Sequence, residues 1–82
     1  MKDDSERPKE RKTAEELAAM IHEDLSKMDG CPEQGVRVIV YGIPWRSVLV
    51  FAPAAGPVRN RAELQKFFEI ITERLQRLYD LA

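Results

Sequence analysis

Apolar positions recur at two different periods along this chain of 82 residues, and the change of period marks its elements. Between Thr13 and Gly30, Ala14, Leu17, Ala18, Ile21, Leu25 and Met28 lie three or four apart, one face of an amphipathic helix. Thr13-Ala14-Glu15-Glu16 has the form of a capping box, in which the Thr13 hydroxyl accepts the Glu16 N–H and the Glu16 carboxylate reaches back. The spacing predicts a helix from Ala14 to about Met28, stopped by Asp29-Gly30 with Pro32 behind it.

The period then falls to two. Val36 to Tyr41 and Trp45 to Ala52 are β-branched and aromatic runs on either side of Gly42-Ile43-Pro44, the pattern of a β-hairpin. An odd-numbered loop would put Val36, Val38, Val40, Val48 and Val50 on one face, a natural bed for helices. Arg37, Ile39, Tyr41, Ser47 and Leu49 would share the other, with Trp45 or Phe51 according to register. Pro53 to Arg59 reads as a loop broken by two prolines and a glycine.

Helical spacing returns after Asn60, which stands as a cap with Glu63 three residues on. Leu64, Phe68, Ile71, Leu75, Leu78 and Ala82 follow steps of four and three, with Phe67, Ile70 and Leu81 widening the stripe. A helix to about Leu81 would be ~31 Å long, against ~20–23 Å for the strands, so its apolar face should overhang the sheet. The fold class is a small α+β domain of order α-β-β-α. It covers residues 13–82 and follows a charged segment, 1–12, with nine charges and nothing apolar after Met1, which reads as disordered.

Composition narrows what such a domain can do. Seventy residues make a marginal core, and domains of this size usually add a disulfide, a metal or oligomerisation. Cys31 has no cysteine partner, and Cys31 with His22 cannot build a conventional zinc site, so no metal or cofactor is expected and self-association remains. No segment has the ~20 apolar residues of a membrane helix, and a free thiol suits a reducing compartment, so the chain reads as a cytoplasmic protein away from membranes.

The net charge of −1 conceals an asymmetry. Residues 13–35 carry six acids against Lys27, whereas residues 36–66 carry Arg37, Arg46, Arg59, Arg61 and Lys66 against Glu63. Asp24 and Arg74 border the apolar arcs of their helices and are expected to find opposite charges, including each other.

No catalytic constellation is visible. Cys31 lies beside acids rather than in the positive surroundings a reactive thiolate needs. His22 stands as a helix-edge residue, and a dyad with Cys31 would require the loop to fold back. Ser47 lacks a nucleophile elbow, and the glycines are too dispersed to cradle phosphate.

The sequence therefore predicts a non-catalytic protein-interaction module, a homodimer or the small subunit of an assembly. Its contact surface would comprise Arg37, Ile39, Tyr41, Trp45, Leu49 and Phe51 on the free face or edge of the hairpin. The alternative is a small nucleic-acid-binding regulator that uses Arg37, Arg46, Arg59 and Arg61.

Overall fold

The computed structural model describes residues 9–82, so the disorder expected of residues 1–8 lies outside it. The order is β1 (Glu10–Lys12), α1 (Ala14–Ser26), β2 (Val36–Tyr41), β3 (Arg46–Phe51), a 3-10 turn (Pro53–Ala55), α2 (Arg61–Leu78) and β4 (Tyr79–Leu81). β2 and β3 form an antiparallel hairpin, and β1 pairs in parallel with β4. This is a small α+β domain with both helices on one face of the hairpin.

The first helix starts as its sequence dictates. The Thr13 hydroxyl accepts the Glu16 N–H at 3.1 Å, and the Glu16 carboxylate accepts the Thr13 N–H at 3.1 Å. Leu17, Ile21 and Leu25 of α1 are fully buried, as is Leu64 of α2, and Val40, Trp45, Phe68, Ile71 and Leu75 complete the core. Each such aliphatic side chain removed from water contributes about 1.5–3 kcal/mol. Gly35 introduces β2 with φ +76°, and a side chain there would collide with the Ala55 main chain, so the 3-10 turn can seat against it.

Asn60 departs from its expected role. Its amide does not cap α2; Nδ2 donates to the Asp29 carbonyl at 2.9 Å and ties the loop after α1 to the start of α2.

The hairpin register overturns the odd-loop expectation. Four residues, Gly42 to Trp45, separate the closing pair Tyr41–Arg46. Val36, Val38 and Val40 therefore share the helix-facing side with Ser47, Leu49 and Phe51, while Val48 and Val50 turn outward. Two side chains account for this choice. Trp45 leaves the strand to enter the core, and Ser47 tolerates the inner face because its hydroxyl bonds that of buried Thr72 at 2.6 Å.

The C-terminal helix ends at Leu78, three residues short of the expected Leu81. Tyr79–Leu81 becomes a strand against Glu10–Lys12, so residues 10–12 of the segment read as a tail are placed by main-chain pairing, including Ala82 N–H to the Lys12 carbonyl at 2.7 Å. The expected overhang is thus partly covered from within: Leu75 and Trp45 belong to the core, Tyr79 and Leu81 pack against it, and Trp45 Nε1 donates to the Tyr79 carbonyl at 3.0 Å, while Leu78 stays 52% exposed. Asp24 and Arg74 do not meet; Asp24 lies 3.8 Å from Lys27, an exposed pair one turn along its own helix.

Candidate functional site

Because both helices lie on one side of the hairpin, its other side is uncovered. Strand alternation assigns to that outer face Arg37, Ile39 and Tyr41 from β2 and Arg46, Val48 and Val50 from β3. Ile39 sits opposite Val48, and Arg37 and Arg46 occupy diagonal corners beside Val50 and Tyr41. The apolar members remain 44% (Ile39), 49% (Tyr41), 40% (Val48) and 39% (Val50) exposed. The strip is apolar in the middle, cationic at two corners and free of acids.

The six residues read from the sequence as a contact surface therefore divide. Arg37, Ile39 and Tyr41 lie together on the outer face. Leu49 and Phe51 point to the helix side and are half-buried against the core. Trp45, only 3% exposed, belongs to the core itself and is held by the Tyr79 carbonyl and by Gln76, whose Nε2 donates to the Trp45 carbonyl at 2.7 Å. Val48 and Val50 are outer-face residues that the sequence reading missed. Their signal was the parity of the turn, since an even count puts them beside Ile39.

The arginines divide as well. Arg37 and Arg46 are on the outer face, whereas Arg61 lies at the start of α2 with its guanidinium 5.1 Å from the centre of the Phe51 ring. Arg59 is exposed in the loop before α2. No single surface gathers all four.

A second feature adjoins the outer face along the free edge of β3. Leu49, Val50 and Phe51 of the strand, with Arg61, Ala62 and Gln65 of α2, line an open groove of ≈ 650 Å³. α1 packs more closely on β2 than α2 does on β3, and the groove lies on the looser side. Arg61 lines it over the Phe51 ring, and Gln65 Nε2 donates to the Glu69 carboxylate at 3.3 Å.

The titratable groups add little chemistry. Burial pushes the Cys31 thiol up, away from thiolate reactivity, and its Sγ lies 3.7 Å from the Pro32 carbonyl. His22 is exposed on α1. Among the described residues no group of three His, Cys, Asp or Glu side chains converges as metal ligands would, and no helix is long and apolar enough to cross a membrane. What the surface can do is bury apolar area against another surface and pair main-chain groups along a strand edge. No family model, curated protein or solved structure matches the chain.

Proposed function

We propose that this chain is a non-catalytic protein-interaction module that works as a homodimer and builds its contacts from the uncovered side of the β2–β3 hairpin. One observation carries the reading: a sheet face with Ile39, Tyr41, Val48 and Val50 between 39% and 49% exposed, covered by neither helix. Apolar patches rimmed by Arg and aromatic side chains are typical of protein contact surfaces. The single free thiol, Cys31, fits a reducing compartment, so the cytoplasm is the proposed place of action.

Molar mass in solution tests the reading directly. Size-exclusion chromatography with light scattering, run over at least a tenfold concentration range with the thiol kept reduced, should give a dimer mass that dissociates on dilution. A monomer at every concentration would sink the self-association.

A second reading, binding of a nucleic acid, is favoured by the outer face having Arg37, Arg46 and Tyr41 and no acid. It predicts that a single-stranded oligonucleotide binds at low salt and is released steeply as salt rises. The split of Arg59 and Arg61 from that face makes it the weaker of the two.

A further inference from the structure

The edge of β3 is more specific about its occupant than the outer face is. The Ala52 N–H donates to the Gly35 carbonyl at 2.7 Å, one step beyond the Val36–Phe51 pair. Bonded and non-bonded pairs alternate along an antiparallel ladder. Arg37–Val50, Ile39–Val48 and Tyr41–Arg46 are therefore the bonded pairs, and Ser47, Leu49 and Phe51 turn their N–H and C=O groups away from β2. Among the described residues nothing accepts or donates to those groups. Ser47 to Phe51 also lacks the lysine, proline or bulge with which exposed edges are usually defended.

The helix beside this edge carries a charge pattern that complements itself. Arg61, Gln65 and Glu69 are successive positions at i, i+4 and i+8 on α2, so they form one stripe, and the first two line the groove. The stripe reads positive, neutral, negative. A two-fold axis near Gln65 lays Arg61 of each copy against Glu69 of the other. Ala62, the smallest side chain of the lining, lets the two helices approach.

The strand admits the same symmetry. A two-fold through Leu49 sets Leu49 opposite its own copy and Ser47 opposite the partner's Phe51, so only residues with outward main-chain groups become bonded. Leu49 and Gln65 border one groove, and a single axis can serve both elements.

We propose that a second copy of this chain pairs antiparallel along the β3 edge, giving a four-stranded sheet with the Arg61 and Glu69 side chains in reciprocal ion pairs. The inference rests on the self-association proposed above and names its interface. It also gives that assembly a purpose: Val48 of one copy then lies opposite the partner's Val50, and the two outer faces merge into one continuous apolar strip.

Two measurements on the full chain test it. Amide hydrogen exchange followed by NMR should show Ser47, Leu49 and Phe51 becoming protected as protein concentration rises, while the amides on the outer edge of β2 do not change. Arg61→Glu and Glu69→Arg, each with unchanged far-ultraviolet circular dichroism, should weaken the dimer about tenfold, since each change converts two exposed attractions into repulsions. The double reversal R61E/E69R should restore it. A dimer whose Ser47, Leu49 and Phe51 amides stay unprotected overturns the edge pairing but leaves self-association standing. A dimer in which the double reversal is as weak as the singles overturns the charge register. A monomer at all concentrations overturns both this proposal and the reading it rests on.

Discussion

The two halves of α2 meet the hairpin in different ways. At the C-terminal half, polar side-chain bonds fasten helix to hairpin: Ser47 to Thr72, Gln76 to the Trp45 carbonyl, and Trp45 to the carbonyl of Tyr79 where β4 begins. At the N-terminal half, Leu64 and Phe68 reach the core, but Arg61, Ala62 and Gln65 leave a groove beside β3. The hairpin is pinned at its turn and open along its edge. The difference locates the unsatisfied surface. The long helix, which in sequence looked too large for its sheet, is served in part by its own chain, with Leu75 buried but Ile70 and Leu78 about half exposed, whereas the strands lack cover over one whole face.

If the turn end is the pinned one, a large-to-small change there should have the greatest effect among hairpin substitutions. Trp45→Ala removes the largest core side chain at that junction and should cost about 3–5 kcal/mol, read as a fall in chemical-denaturation midpoint. A loss under 1 kcal/mol would mean that the two halves do not differ as described.

Next in size is the buried hydroxyl pair. Ser47→Ala leaves the Thr72 hydroxyl, on a residue only 8% exposed, without its partner and should cost about 1–3 kcal/mol. The double variant S47A/T72V should recover much of that loss, since two apolar groups replace a satisfied pair. If the double variant is as unstable as the sum of the singles, the bond is not what joins helix and strand there.

At the N-terminus of α1, Thr13→Ala should cost about 1 kcal/mol. The same cap gives a pH dependence. The Thr13 main-chain N–H, and then its hydroxyl, hold the Glu16 carboxyl below its ordinary value of 4.5, with Lys12 adding to the effect. A group whose folded pKa is depressed stabilises the fold above its unfolded pKa and loses that contribution as pH falls through the folded one. Stability should therefore decline below about pH 4.5, and Glu16→Gln should flatten that part of the thermal midpoint against pH.

The smallest effect belongs to the open side. Ile39→Ser, on the outer face, should leave monomer stability within about 0.5 kcal/mol when measured at a concentration where the chain is dissociated. A large loss would show that something in the monomer already covers that face.

Legibility in the sequence followed the side chains and failed where the main chain decides. The two helices, the hairpin and the Thr13–Glu16 cap were readable because each depends on residue type at a fixed spacing. β1 was not, since Glu-Arg-Lys offers no apolar alternation and is held by carbonyl and amide groups that every residue has. β4 left a faint trace: Tyr79 and Leu81 alternate around Asp80, but the same residues extend a helical stripe, and the longer pattern prevailed.

The hairpin register failed for a third reason. Sorting valines by face assumed that strand residues choose a side by hydrophobicity alone, whereas Trp45 was withdrawn from the strand and Ser47 found a hydroxyl. Half of the candidate surface, Arg37, Ile39 and Tyr41, nevertheless lies where it was expected, because β2 alternates strictly and faces one helix layer. Val48, Val50 and the β3 groove required the turn length, which Gly-Ile-Pro-Trp leaves ambiguous in sequence.

The parallel pairing of β1 with β4 has a mechanical consequence. A force drawing Lys9 and Ala82 apart pulls these neighbouring strands in opposite directions along their lengths. Such a load strains the bonds of Glu10–Lys12 to Tyr79–Leu81 together in shear, whereas an antiparallel pair pulled from one end would open them one by one. Three residues a side make a short clasp, but one oriented to resist traction along the chain before the core behind Trp45 has to.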